Sequence, residues 1–178
     1  MRIVILGAGQ VGTSVAEALA SEINDVTIVD QNGPALAKLA DRLDVRTVTG
    51  NAALPSVLRS AGIEDAEMLV AVTQSDQTNL VACKIARHMF NVPTRVARLR
   101  GADFLGDEML LGDDMFAVSH AMCPEQDITD YISRLVEFPE ALQVLEFAGG
   151  RATLVCVRAY EGGLLVGKPI KTMREHLP

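Results

Sequence analysis

Two kinds of block alternate along this chain. Short apolar or alternating runs stand at Ile3–Leu6, Val26–Val29, Val45–Val48, Met68–Val72, Val96–Leu99 and Met115–Val118. Between them, apolar residues recur at helical spacing. Val11, Val15 and Leu19 share one face, and Leu36, Leu39, Ala40 and Leu43 another. A short helix over Pro55–Ala61 is stopped by Gly62, and a longer one is capped by Ser75 or Asp76 and runs to about Met89. Another short helix falls between Phe104 and Leu111, while Pro34 suits a first helical turn and Asn91-Val92-Pro93 breaks the long helix. The pattern is β-α repeated to a sixth strand. The continuous run at Met68–Val72 marks a strand buried on both faces of a parallel sheet. Residues 1–120 therefore predict one α/β domain with a doubly wound, parallel, six-stranded sheet.

The rhythm then changes. Pro124 to Phe138 predicts one helix, with Ile128, Ile132, Leu135 and Val136 at helical spacing. Two strand-like runs follow, Ala141–Phe147 and Ala152–Tyr160, joined at Gly149-Gly150 as an antiparallel hairpin. After Gly162-Gly163 come Leu164-Leu165-Val166 and a short helical piece ending at Pro178. Residues 140–178 are too few to bury an apolar face of their own. They must pack on the first domain, pack on another chain or open a longer, truncated domain, and the last two are favoured.

The first strand runs directly into Gly7-Ala8-Gly9-Gln10-Val11-Gly12, and the second ends in Asp30. This is G-x-G-x-x-G between a strand and a helix, the dinucleotide fingerprint of a Rossmann-like fold. Gly7 permits the tight turn, Gly9 lets a pyrophosphate approach the backbone, and Gly12 lets helix and strand pack closely. The helix N-terminus offers N–H groups to phosphate. A carboxylate at Asp30 accepts both ribose hydroxyls and repels a 2′-phosphate, which favours NAD(H) or an adenine nucleotide over NADP(H). The alternative is a glycine-rich turn that only permits close packing. Ligands of doubly wound sheets sit at the carboxyl ends of strands. That rule adds Asn51 and Ala52 after the third strand, Thr73 and Gln74 after the fourth, and Arg98 and Arg100 at the fifth. The two arginines lie two residues apart and leave one strand face, where guanidinium groups can grip phosphate. A solvated strand end with surface ion pairs is the competing reading of those arginines.

Composition removes several functions. The net charge of -7 and the lack of a basic stripe argue against nucleic acid. No apolar run approaches the roughly 18 residues of a membrane span, and no signal peptide is visible. The three scattered cysteines, Cys83, Cys123 and Cys156, form no C-x-x-C and read as thiols of a reduced, cytoplasmic protein. His88, His120 and His176 show no metal-ligand spacing. A dehydrogenase needs a proton donor beside its cofactor. The only tyrosines, Tyr131 and Tyr160, make no Tyr-x-x-x-Lys. The nucleotide is therefore read as a signal rather than a reagent, and the protein as no enzyme.

Ile3 to Gly12, Gly50-Asn51-Ala52 and the run Ala71 to Asn79 together resemble the RCK (KTN) domains that regulate potassium transport, as in bacterial Trk uptake systems. Ala141-Leu142-Gln143-Val144 and Thr172 to Pro178 are similar as well. The resemblance implies a cytoplasmic regulatory subunit, peripheral at the inner face of the membrane, that binds NAD(H) or ATP/ADP without turnover and changes the geometry of a ring of such domains under a potassium channel. It implies a pyrophosphate site at Gly7, Ala8, Gly9, Gln10 and Val11, a ribose site at Asp30, and an adenine site by Asn51 and Ala52. It implies ligand contacts from Thr73 and Gln74 at the end of the fourth strand and from Arg98 near the phosphates. It further implies a dimer through a crossover helix within residues 121–139, and an α+β C-terminal lobe of which 140–178 is the truncated start. The rival readings are an NAD-dependent oxidoreductase fragment lacking its substrate domain, and an NADH-sensing repressor, for which no basic helix is visible.

Overall fold

In the computed structural model, residues 1–20, 23–105, 107–148, 150–163 and 166–167 are described. The strands β1 (Arg2–Leu6), β2 (Asp25–Asp30), β3 (Arg46–Thr49), β4 (Met68–Ala71), β5 (Thr94–Arg98) and β6 (His120–Met122) form one sheet in the order β3-β2-β1-β4-β5-β6. Every pairing in it is parallel. The expected Rossmann-like sheet is present. Its order reverses between β1 and β4, which opens a crevice at their carboxyl ends.

Alternate residues of each strand supply the two faces. Ile3, Ile5, Val26, Ile28, Val70 and Val72 form one core, closed by α1 (Gln10–Leu19) through Ala16 and by α2 (Gly33–Ala40) through Leu36 and Leu39. Val4, Leu6, Val29, Leu69, Ala71 and Ala97 form the other. There α3 (Pro55–Ser60) contributes Leu58, and α4 (Asp76–Phe90) contributes Leu80, Ala82, Cys83 and Ala86. Burying side chains of this size stabilises by about 1.5–3 kcal/mol each. Helix starts follow local chemistry. Asn32 Oδ1 accepts from Ala35 N–H at 3.1 Å, and Ser75 Oγ accepts from Thr78 N–H at 3.2 Å. Asn91 ends α4 in the left-handed conformation, φ 56°.

Several boundaries depart from the sequence reading, and the single short helix expected between Phe104 and Leu111 is two helices. Helix α2 stops at Ala40, and Leu43 packs on the core from the following turn. Leu99 lies just past the end of β5, although its N–H still pairs with Met122 O at 2.9 Å. The hairpin's second strand ends at Val157 rather than Tyr160. The largest departure is β6. The apolar run Met115–Val118 is a turn after α5 (Ala102–Leu105) and α6 (Glu108–Leu111), and the strand is the mostly exposed segment His120–Met122. Phe116 and Val118 bury against the core, and Ala117 takes φ 55°. Core packing, not strand pairing, makes that run apolar.

The buried Arg95 holds this turn. Its guanidinium donates to Ala117 O at 2.6 Å, to Val92 O and Pro93 O at 2.8 Å, and to Asp113 Oδ1 at 2.8 Å. Arg87 reaches the other oxygen of Asp113 at 3.3 Å, and Lys84 donates to Asp114 O at 2.8 Å.

The chain divides into two compact units, Met1–Pro124 and Glu125–Pro178. Within the second lie nearly all of α7 (Pro124–Glu137) and an antiparallel hairpin of β7 (Ala141–Phe147) and β8 (Ala152–Val157). Among its described residues Val144 is the buried one, and Arg134 pairs with Glu146 at 3.7 Å. Ile128, Ile132 and Val136 form an exposed apolar stripe on α7. Gly149, Leu164-Leu165 and the expected terminal helical piece lie outside the described residues. Among the described residues, no helix is long and apolar enough to cross a membrane.

Candidate functional site

A cleft of about 810 Å³ opens at the carboxyl ends of β1, β2, β4 and β5. One wall is the fingerprint loop, Gly7 to Val11. Gly7 sits at φ +107°, where a Cβ would come within 2.9 Å of Val72 O, so neither the turn nor its packing admits a side chain. A Cβ at Gly12 would run into the Gly7 carbonyl. Gly9 differs, because its missing Cβ points into open space. That vacant cradle lies at the N-terminus of α1, where no side chain caps the helix. Its N–H groups and dipole are presented to the cleft, as an anion requires.

Asp30 forms the second wall. Its Oδ2 accepts from Ala8 N–H at 2.6 Å and its Oδ1 from Asn32 N–H at 2.8 Å. Each oxygen keeps a lone pair for a further donor. Gly50 and Ala52 continue this side. Asn51 does not line the cleft. Its side chain turns back to accept from Ala53 N–H at 2.9 Å. Gly12 is likewise packed beneath the loop rather than facing the cleft.

The opposite wall carries Thr73, Gln74, Ser75, Thr78, Arg98 and Arg100. Of the thirteen residues singled out from the sequence, Gly12 and Asn51 stand apart, and the cleft brings the others together. Sequence reasoning missed Asn79, a fully buried amide that binds the β4 and β5 ends to each other. It accepts from Thr73 N–H at 3.0 Å and from Thr73 Oγ1 at 2.7 Å, and it donates to Arg98 O at 2.8 Å. A lone Asn early in a helix gives little local signal of such a role, because its partners are distant in sequence.

Among the described residues of the lining, the ionisable side chains are Asp30, Arg98 and Arg100, with no His, Cys, Tyr or Lys. The buried thiol of Cys83 lies elsewhere, within the core, where burial pushes its pKa from 9.0 up to about 12 against the lowering pull of Arg95. It is neutral and inert at neutral pH. No cluster of three metal-ligating side chains occurs among the described residues.

The family comparison agrees with this architecture. The TrkA-N domain family matches residues 3–114. This chain belongs to that family. Trk system potassium uptake protein TrkA of Vibrio alginolyticus is 50% identical over 179 residues, covering 100% of this chain and 39% of that protein. The chain thus spans well under half the length of the curated relatives it matches. Among solved structures, the TrkA-N domain of inner membrane protein ybaL from Escherichia coli aligns with TM-score 0.66 at 20% identity, over 76% of this chain and 96% of that one. GsuK bound to ADP aligns with TM-score 0.63 at 23% identity, over 78% of this chain and 34% of that one. The GsuK channel bound to NAD aligns with TM-score 0.63 at 15% identity, over 83% and 25%. At these identities the likeness is one of fold. In this TrkA-N domain the fingerprint loop, Asp30 and the arginine wall surround one crevice.

Proposed function

We propose that this chain is the nucleotide-sensing part of a cytoplasmic regulatory subunit that controls a Trk-type potassium channel or transporter. Its regulatory ligand is NAD(H) or ATP/ADP, and it does not turn that ligand over. The makeup of the cleft supports the reading: a ribose-type acceptor at one side, the anion donors of the loop next to it, two arginines on the far wall, and no His, Tyr or Lys among the described lining residues to act as a dehydrogenase's proton donor. The names of the sequence relatives support the potassium-transport output. GsuK with ADP and with NAD supports the ligand class.

In this reading the backbone from Gly7 to Val11 meets the pyrophosphate over the vacant Gly9 cradle, and Asp30 accepts the ribose hydroxyls. Gly50 and Ala52 flank the adenine, while Thr73, Gln74, Arg98 and Arg100 serve the phosphates. Residues 1–120 are the nucleotide-binding lobe, 121–139 the crossover helix of a homodimer, and 140–178 the start of a C-terminal lobe. The exposed stripe Ile128, Ile132 and Val136 supports that dimer face. The assembly is peripheral, held at the inner face of the membrane by its channel partner.

Regulation needs only a ligand with unequal affinity for two assembly geometries. A tenfold inequality shifts their balance by about 1.4 kcal/mol. Calorimetric titration of NAD, NADH, ATP and ADP into the chain and into Arg98→Ala tests the reading. Binding of at least one nucleotide, with weakened ATP binding in the variant, is expected. Unchanged ATP affinity removes Arg98 from the site, and no binding by any of the four overturns the sensor. Hydride exchange by the longer parent protein would favour the oxidoreductase instead.

A further inference from the structure

Asn79 is 0% exposed, and a buried amide is costly unless its hydrogen bonds are made. Here they are made on both sides of the cleft's phosphate end, to main chain and to one hydroxyl. Its oxygen takes the N–H and hydroxyl of Thr73, at 3.0 and 2.7 Å, and its nitrogen donates to Arg98 O at 2.8 Å. Three residues earlier on α4, Asp76 Oδ2 accepts from Arg100 N–H at 2.8 Å and from Gly101 N–H at 2.9 Å. Residues i and i+3 occupy one face of a helix. That face therefore grips the backbone at residues 98, 100 and 101 while also holding the end of β4 at residue 73. These bonds are to main chain, so they set where the Arg98 and Arg100 side chains begin.

We infer that Asn79 and Asp76 are positioning residues for the anion-binding end of the cleft. They hold the arginine-bearing segment at a fixed distance from Thr73 and from the N-terminus of α1. A bound diphosphate then meets cations already in place, and the ordering cost of binding falls. The inference rests on the nucleotide reading above for its ligand, though not for its geometry. Neither residue lines the cleft. Each acts through another group.

The test has two arms. Hydrogen exchange on the ligand-free chain reads the geometry directly. Asp76→Ala is expected to accelerate exchange at the amides of Arg100 and Gly101, and Asn79→Ala at the amide of Thr73. Calorimetry with ADP and with adenosine reads the consequence. Each variant is expected to lose about tenfold in ADP affinity, about 1.4 kcal/mol, with adenosine affinity unchanged. Asn79→Ala added to Arg98→Ala is expected to lose less than the sum of the two single losses, because Asn79 acts in part through Arg98. Unaltered exchange at residues 100 and 101, equal losses for ADP and adenosine, or additive losses in the double variant would each overturn the inference. Should Asn79→Ala fail to fold, Asp76→Ala, which removes no buried amide, carries both arms. If the wild-type chain binds neither ADP nor adenosine, the sensor reading falls, and the exchange arm still decides whether the segment is held.

Discussion

The Ala8 N–H donates to Asp30 Oδ2 at 2.6 Å, so the acid at the end of β2 is a strut for the fingerprint loop as well as a candidate ribose acceptor. Charge-assisted bonds of this kind are worth about 1.5–3 kcal/mol each. Replacing Asp30 with Ala should therefore lower stability by about 2 kcal/mol in urea denaturation and abolish nucleotide binding. Asp30→Asn keeps one acceptor and should recover much of the stability without the affinity. Equal recovery of both would mean that the charge is irrelevant to the ligand.

Gly9 and Gly12 look equivalent in the fingerprint yet should respond oppositely to alanine. At Gly9 the new methyl enters open space, so the fold should be unchanged while nucleotide affinity falls at least about tenfold through loss of close backbone approach. At Gly12 it collides with the Gly7 carbonyl, and the cost should exceed about 2 kcal/mol. Thermal melts and calorimetry on the two variants separate these outcomes. A destabilised Gly9→Ala with intact binding would reverse the assignment.

The ion pair at Arg95 is lopsided, with the arginine side chain 6% exposed and its Asp113 partner 59% exposed. Removing Asp113 should cost under about 1 kcal/mol, as solvent already screens it. Arg95→Ala strands the carbonyls of Val92, Pro93 and Ala117 and should cost about 3 kcal/mol or more. Arg95→Lys should rescue little, because an ammonium cannot reproduce the planar fork. Chemical denaturation of the three variants gives the ranking directly.

Cys83 should resist alkylation in the native chain while the exposed Cys156 reacts, as peptide mass spectrometry after brief iodoacetamide treatment would show. With its folded pKa raised to about 12, the folded state retains a proton that the unfolded chain has shed. Stability from this group is complete below pH 9 and is lost as pH rises from about 9 towards about 12. Native labelling of Cys83 at pH 8 as fast as Cys156 would contradict the burial.

Much of this molecule was legible because its sheet is parallel. Strands such as Ile3–Leu6 and Met68–Ala71 are buried on both faces, so they stand out as apolar runs between turn residues. The glycine loop and Asp30 were legible for a related reason, since their geometry admits few residue types. Strand β6 was not. It is a short edge strand of mostly exposed residues, and the apolar turn Met115–Val118 beside it looked more strand-like than the strand itself. Arg95 and Asn79 were invisible as core residues, because a buried polar side chain is explained only by partners remote in sequence. For Arg95 these include Ala117 O, and for Asn79, Arg98 O.

The strand order β2-β1-β4-β5 puts Asp30 and Arg98 three strand spacings apart, on opposite halves of the sheet. At about 4.8 Å per spacing that is about 14 Å. A ligand whose ribose rests on Asp30 reaches the far wall only if its phosphate tail is long enough. For such a ligand the crevice would gauge molecular length, ruled by the backbone itself, and a nucleoside, a monophosphate and a triphosphate would fall at different marks along it.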